Sequence, residues 1–322
     1  MNGECGMDTH TSSTSRKPMY LQGCGVRAGS EGSSREGKEC RMELKYNIRP
    51  LQEEVLKIFK VFAAICEKHG LRYYAAYGTA LGAIRHHGFI PWDDDFDVAM
   101  PRSDYNQFVK IVQSELPDGL KLSRGGEGPN SPIYFSKILN VTDGLSQKMS
   151  ELTNLNVEDP PFIDVFVLEN VPKSVLDFKR WWRNRRLWRL CQLWRYPESS
   201  YCASQKGWKL LLARFLGFCL NRRYRKTIDN ADMMCVLDEM SESAFESANV
   251  IEPCFFRMRE SRLLPTSYFE PARMIPFEDT QIRVAADVEL ILRRYYGDYM
   301  QLPPEKDRVP PHVLRYNYEG HV

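Results

Sequence analysis

An α+β fold, a mixed sheet flanked by helices, is what this 322-residue chain predicts. Three observations carry that expectation. Leu51, Val55, Ile58, Phe59, Phe62 and Ile65 follow helical spacing and run into a β-prone aromatic stretch. A glycine turn then opens a second helix. Two later apolar runs, Asp95 to Val98 and Ile163 to Val167, are interrupted by acids alone. The length suffices for one large or two modest domains with a sizeable core.

In chain order, Gly70 ends the first helix, and Leu71-Arg72-Tyr73-Tyr74-Ala75-Ala76-Tyr77 reads as a strand that stops where Gly78 allows a tight turn. Thr79 is placed to cap a helix from Ala80 to His86. A strand, a glycine turn and a helix N-terminus present free N–H groups that suit a phosphate, although a plain strand-to-helix turn has the same look. Arg85, His86 or His87 either touches that phosphate or ends the helix in solvent.

If residues 95 to 98 are extended, Asp95 and Asp97 share one face while Phe96 and Val98 share the other. Carboxylates so placed repel unless a hard cation stands between them, which points to Mg²⁺, with Mn²⁺ as the alternative. Asp93 falls on the same face as a further ligand, and Asp94 is expected to point away. An EF-hand reading of Asp93-x-Asp95-x-Asp97 fails, because Val98 stands where glycine is required.

Ser103 is placed to cap a helix that Pro117-Asp118-Gly119 breaks. After a glycine-rich loop at 125–129, a strand from Ile133 to Leu139 brings Lys137 near the sheet, either to neutralise phosphate charge or to stay solvated. Asp164 is the one acid in the buried-looking run Ile163-Asp164-Val165-Phe166-Val167. It serves a metal or a partner there, or ends a strand in solvent.

Lys179 to Arg195 holds seven basic residues, no acid and four of the six tryptophans. Nucleic acid, an anionic membrane and simple helix packing all fit that mixture. On a helical wheel the two classes intermingle, which weakens the membrane reading. Trp208 to Leu220 is strongly apolar but too short to span a bilayer, so the two stretches read as a helical insertion. Residues 1–41 are rich in Ser, Gly, Thr and charge and read as a disordered tail or as the product of an upstream start site, with Met42 opening the folded part.

With 44 Lys and Arg against 42 Asp and Glu, the formal charge is +2, so the whole-molecule field does not announce nucleic acid. Nine dispersed cysteines without a Cys-x-x-Cys pair read as reduced thiols. No run of about eighteen apolar residues exists, and no signal-peptide stretch opens the chain. The expectation is a cytoplasmic protein, with the inner face of the membrane as its place of work.

Tyr77-Gly78-Thr79-Ala80-Leu81-Gly82-Ala83-Ile84-Arg85-His86-His87-Gly88-Phe89-Ile90-Pro91-Trp92-Asp93-Asp94-Asp95-Phe96-Asp97 closely resembles the signature of the LicD family. That family comprises nucleotidyltransferase-fold phosphotransferases, among them bacterial phosphocholine transferases and fukutin-related enzymes. Pro101-Arg102-Ser103-Asp104-Tyr105, Phe162-Ile163-Asp164-Val165-Phe166-Val167-Leu168 and Tyr296-Gly297-Asp298-Tyr299 with Arg308 extend the resemblance from about Leu51 to His312. Val167 departs from the family's proline.

The resemblance implies a nucleotidyltransferase-like core at 42–175, the helical basic and aromatic insertion at 176–245, and a C-terminal part at 246–322 that packs on the core. It implies Asp95, Asp97 and Asp164 as metal ligands and catalytic groups, beside Gly78 and Thr79 at the phosphate turn and Arg85 and Lys137 as the basic candidates for the substrate. Trp92 and Tyr77 are the candidates for the aromatic wall that a choline cation needs, or are plain core. The implied reaction moves phosphocholine from CDP-choline, or another alcohol phosphate from its CDP donor, to a hydroxyl of a glycan or lipid-linked glycan. Lipopolysaccharide and teichoic acid are the acceptors so implied. Peripheral membrane contact through 179–195 would bring such an acceptor close. The alternatives are ribitol- or glycerol-phosphate transfer on the same fold, a nucleotidyltransferase acting on RNA or a drug, and a catalytically silent metal-binding scaffold.

Overall fold

The computed structural model describes residues 47–124, 135–142, 145–149, 158–170, 249–251, 263–310 and 313–318, together with seven helical positions between 208 and 219. The stretch 179–195 and residues 1–46 lie outside them.

A five-stranded mixed sheet forms the centre. Its strands are β1 (Tyr74–Ala75), β2 (Asp97–Pro101), β3 (Leu120–Ser123), β4 (Ser136–Asn140) and β7 (Phe162–Asn170), in the order β1-β2-β7-β4-β3. Only β2 and β7 run parallel; the other neighbours are antiparallel. Both strands of that pair are buried along their whole length, as strands covered on two faces must be. Short strands β8 (Asn249–Ile251) and β9 (Leu264–Pro265) extend from the end of β7. A separate hairpin joins β10 (Arg273–Phe277) to β11 (Thr280–Val284), and β12 (Val313–Tyr318) pairs with β5 (Leu145–Met149), which pairs with β6 (Glu158–Asp159).

Helix α1 (Arg49–Lys68) buries Leu51, Val55, Ile58, Phe59, Phe62 and Ile65, the face that their spacing predicts. Gly70, at φ +64°, terminates it, with the Leu71 N–H bonded to the Cys66 carbonyl at 2.8 Å. Phe59 stacks on Phe96 at 4.6 Å, and Phe89, Phe108, Phe277 and Tyr73 complete an aromatic core between helix, sheet and hairpin.

Helix α2 (Tyr77–His86) starts three residues before the position expected for it. Tyr77 itself takes a positive φ of 41°, so the chain turns there and leaves β1 only two residues long. Ala76 is the N-cap and no side chain caps the helix, so Thr79 is not its cap. Helix α3 (Arg102–Glu115) likewise begins after Pro101, and the Ser103 hydroxyl donates to Asp104 Oδ2 at 3.0 Å instead of capping. Helix α4 (Val288–Tyr296) packs on α2.

The Pro-Arg-Ser-Asp-Tyr motif that opens α3 acts as a brace. Arg102 forms an ion pair with Glu169 on β7, both within 2% of complete burial. Asp104 accepts from the Arg72 backbone N–H at 2.8 Å and from its guanidinium at 2.7 Å. Tyr105 shares a buried 2.6 Å hydrogen bond with Ser136 on β4. Arg102, Asp104 and Tyr105 thus tie one helix to β7, to the segment that leads into β1 and to β4.

Candidate active site

The loop 87–96 between α2 and β2 carries the acids, and its path is set from a distance. His87 ends α2 in the left-handed region at φ 55°, and its carbonyl accepts the Glu278 N–H at 2.9 Å. Glu278 is the tip of the β10–β11 hairpin; its carboxylate accepts the Phe89 N–H at 3.0 Å and pairs with Arg49 of α1 at 2.8 Å. Gly88 lies against that carboxylate, where a β-carbon would collide with it. From α1, the buried amide of Gln52 donates to the carbonyls of Ile90 at 3.2 Å and Asp93 at 2.8 Å. Gln52 and Glu278 escape a motif search; the signal for Gln52 is an amide on the otherwise apolar face of α1.

Residues 93–96 are not a strand, so strict alternation of faces does not apply to them. The loop instead turns back, with the Asp93 N–H on the Ile90 carbonyl at 2.9 Å. As a consequence Asp94 is buried beside its neighbours and does not point away: carboxylate oxygens of Asp93, Asp94 and Asp95 all lie within 4.8 Å of one another. Gly78 lies close against them, where a β-carbon would meet Asp93 Oδ2 and that carboxylate would have to shift. Close approach, rather than an unusual φ, is therefore the reason for glycine at 78.

Strand β2 begins at Asp97, which sits opposite Asp164 in the parallel β2–β7 register, and Lys137 sits opposite Asp164 on the other side. Lys137 Nζ lies 2.8 Å from Asp164 Oδ1 and 3.2 Å from the Phe162 ring centroid. The lysine is thus engaged with a carboxylate and an aromatic face. The Thr79 hydroxyl accepts the Asp97 backbone N–H at 2.8 Å, which locks the first turn of α2 to the first residue of β2.

Asp97 is 3% exposed and Asp164 is 8% exposed. Burial is the largest cause that drives the Asp97 carboxyl well above its ordinary range; the negative charges of Asp95, Asp164 and Asp93 add to it, and Lys137 opposes them. Asp93 is raised in the same way, by burial and then by Asp95 and Asp94, against Arg85. Asp93, Asp94, Asp95, Asp97 and Asp164 outnumber Lys137 and Arg85, an excess of negative charge that a divalent cation would relieve, so the donor set fits Mg²⁺ or Mn²⁺ bound through oxygen.

A basic and aromatic rim adjoins the acids. Arg85 donates to the Tyr299 carbonyl at 2.7 Å, and burial lowers its pKa. Trp92 meets the His86 ring edge-on at 6.2 Å and carries the Arg308 guanidinium over its ring at 5.7 Å. Tyr77 is 7% exposed and packs between Phe166 and Tyr295, which makes it core and leaves Trp92 as the half-buried candidate for an aromatic wall. Gly78, Thr79, Arg85, Asp95, Asp97, Lys137 and Asp164 are therefore gathered around one place, with Trp92 at its border.

Residues 70–136 match the family model described as LicD/FKTN/FKRP, nucleotidyltransferase domain. The chain is 27% identical over 293 residues to the lipopolysaccharide cholinephosphotransferase LicD of Haemophilus influenzae, covering 84% of this chain and 97% of that protein. Shorter stretches of 45 residues are 42% and 46% identical to uncharacterized proteins of Rickettsia typhi and Rickettsia prowazekii, covering 14% of this chain in each case and 15% and 17% of those proteins.

Proposed function

We propose that this chain, which belongs to the LicD family, transfers phosphocholine from CDP-choline to a hydroxyl of a lipopolysaccharide-type glycan or its lipid-linked precursor. The observation that carries the reading is the β2–β7 register, which sets Asp97 beside Asp164 and next to the Asp93–Asp95 cluster, under a helix start that holds Gly78 and Thr79. The near full-length likeness to a cholinephosphotransferase supports phosphocholine as the group moved.

In this reading Asp95 and Asp97 would hold Mg²⁺, with Asp93 and Asp94 adding negative charge around it. A divalent cation bound there would supply positive charge to offset that of the donor phosphates. Gly78 and the first turn of α2 orient those phosphates through backbone N–H groups and the helix dipole. Arg85 lies within electrostatic reach of Asp93 and adds positive charge on the same side. The acceptor oxygen forms the new bond to the phosphorus of phosphocholine, the anhydride bond breaks, and CMP leaves. Asp164, partnered by Lys137, either completes that metal site or takes the proton of the attacking hydroxyl. The Trp92 ring offers a π face to the choline cation.

The test is incubation of the purified protein with Mg²⁺, a panel of CDP-choline, CDP-ribitol and CDP-glycerol, and a lipopolysaccharide acceptor, following CMP release and acceptor labelling. Turnover of CDP-choline alone is the expected result. Preference for CDP-ribitol or CDP-glycerol would replace the alcohol, and no metal-dependent CMP release from any donor would overturn the reading.

A further inference from the structure

Trp208, Leu211, Leu212, Phe215, Leu216 and Phe218 are helical and exposed, Trp208 and Leu211 by 68% each and Phe215 by 61%. At about 100° per residue these positions fall within an arc of roughly 160°, one broad apolar face. A contiguous exposed face of large apolar side chains marks an interaction surface, since water is a poor solvent for it.

Charge identifies what covers it. Residues 178–228 hold fourteen of the chain's 44 Lys and Arg but only one of its 42 acids, Glu198, so this stretch is strongly cationic in a chain whose formal charge is +2. The remainder is correspondingly acidic. Two copies meeting through such a stretch would repel, which disfavours self-association. A single-stranded nucleic acid would meet three leucines among the six side chains of this face, which offer no ring for a base to stack on. An apolar face beside concentrated cationic charge suits an anionic bilayer surface, where the ring and aliphatic groups enter the acyl boundary and the basic groups stay among the headgroups. No described helix is long and apolar enough to cross a membrane.

We propose that the Trp208–Phe218 apolar face docks this protein onto an anionic lipid surface. The proposal is independent of the transfer reaction, and its test uses no donor.

The full-length protein is mixed with vesicles of equal parts phosphatidylglycerol and phosphatidylcholine, or of phosphatidylcholine alone, and bound protein is measured by sedimentation. The wild type should bind the anionic vesicles and not the neutral ones, with binding weakened at about 0.5 M salt. Leu211→Gln/Phe215→Gln/Phe218→Gln and, separately, Arg222→Gln/Arg223→Gln/Arg225→Gln/Lys226→Gln should each lower partitioning by about tenfold or more at an unchanged melting temperature. Failure of the wild type to bind, equal binding to both vesicle types, or full binding by the apolar variant would overturn the proposal. So would a dimer in vesicle-free solution that the apolar variant dissolves, or an oligonucleotide that binds the wild type while anionic vesicles do not.

Discussion

Asp97 is the residue in which fold and chemistry conflict most. Its carboxyl is raised above the ordinary 3.8 by burial and by three neighbouring acids, so the folded state disfavours its ionised form. The stabilisation linked to a raised group is fully present below its unfolded pKa and is lost as pH climbs through the raised folded value. Asn at this position cannot ionise. In EDTA, Asp97→Asn should therefore match the wild type in stability near pH 4 and exceed it by a margin that grows with pH, as thermal melts across the range would register. With Mg²⁺ and CDP-choline its turnover should fall by about 10²–10³-fold or more; near-normal turnover would remove Asp97 from the site. Gly78 raises a steric question instead. Gly78→Ala places a methyl group where the Asp93 carboxylate sits, so turnover should drop by about 10²-fold while the melting temperature barely moves, and a Mg²⁺ titration of activity should shift to higher concentration.

At the scale of elements, the site depends on contacts made by residues that touch no phosphate. Gln52 of α1 supports the acidic loop through two carbonyls, and Gln52→Leu leaves both without that donor. The expected cost is about 1–3 kcal/mol in urea unfolding, together with a weaker response to Mg²⁺. A stability loss without any change in metal response would mean that the loop holds its path unaided. Helix α3 offers a different test, because Arg102 and Glu169 are both buried. Arg102→Met strands an unpaired carboxylate and should cost about 3–5 kcal/mol, whereas Arg102→Met/Glu169→Leu should recover most of it. If the double variant is as unstable as the single one, the pair contributes more than mutual neutralisation.

Across the whole molecule, the catalytic region is assembled from distant parts of the chain. Arg49 and Glu278, 229 positions apart, clamp the same loop, and Arg85 reaches Tyr299 near the C-terminal end. Residues 1–41 are poor in apolar side chains and rich in Ser, Gly and charge. A protein that begins at Met42 should melt at the same temperature and release CMP at the same rate as the full chain. A drop of several degrees would show that the segment docks.

How much of this was legible in the sequence follows from the range of the interactions involved. The helix at 49–68, the apolar strands around Asp97 and Asp164, and the glycine turn before an acidic run are local patterns, set by side-chain periodicity and backbone sterics, and the order of residues alone displays them. That Asp97 and Asp164 serve one site was implied by family likeness, but their adjacency and pairing in register exist only once β2 and β7 lie side by side. Alternation misplaced Asp94 because the loop at 93–96 obeys Gln52 and the Glu278 hairpin instead of a strand's pleat. Propensity misplaced the start of α2 because Thr79 is committed to the Asp97 backbone and Tyr77 takes the turn. Local sequence determines which segments coil or extend and which acids are available; long-range hydrogen bonds and burial decide where those acids point, since only the folded chain brings their partners within reach.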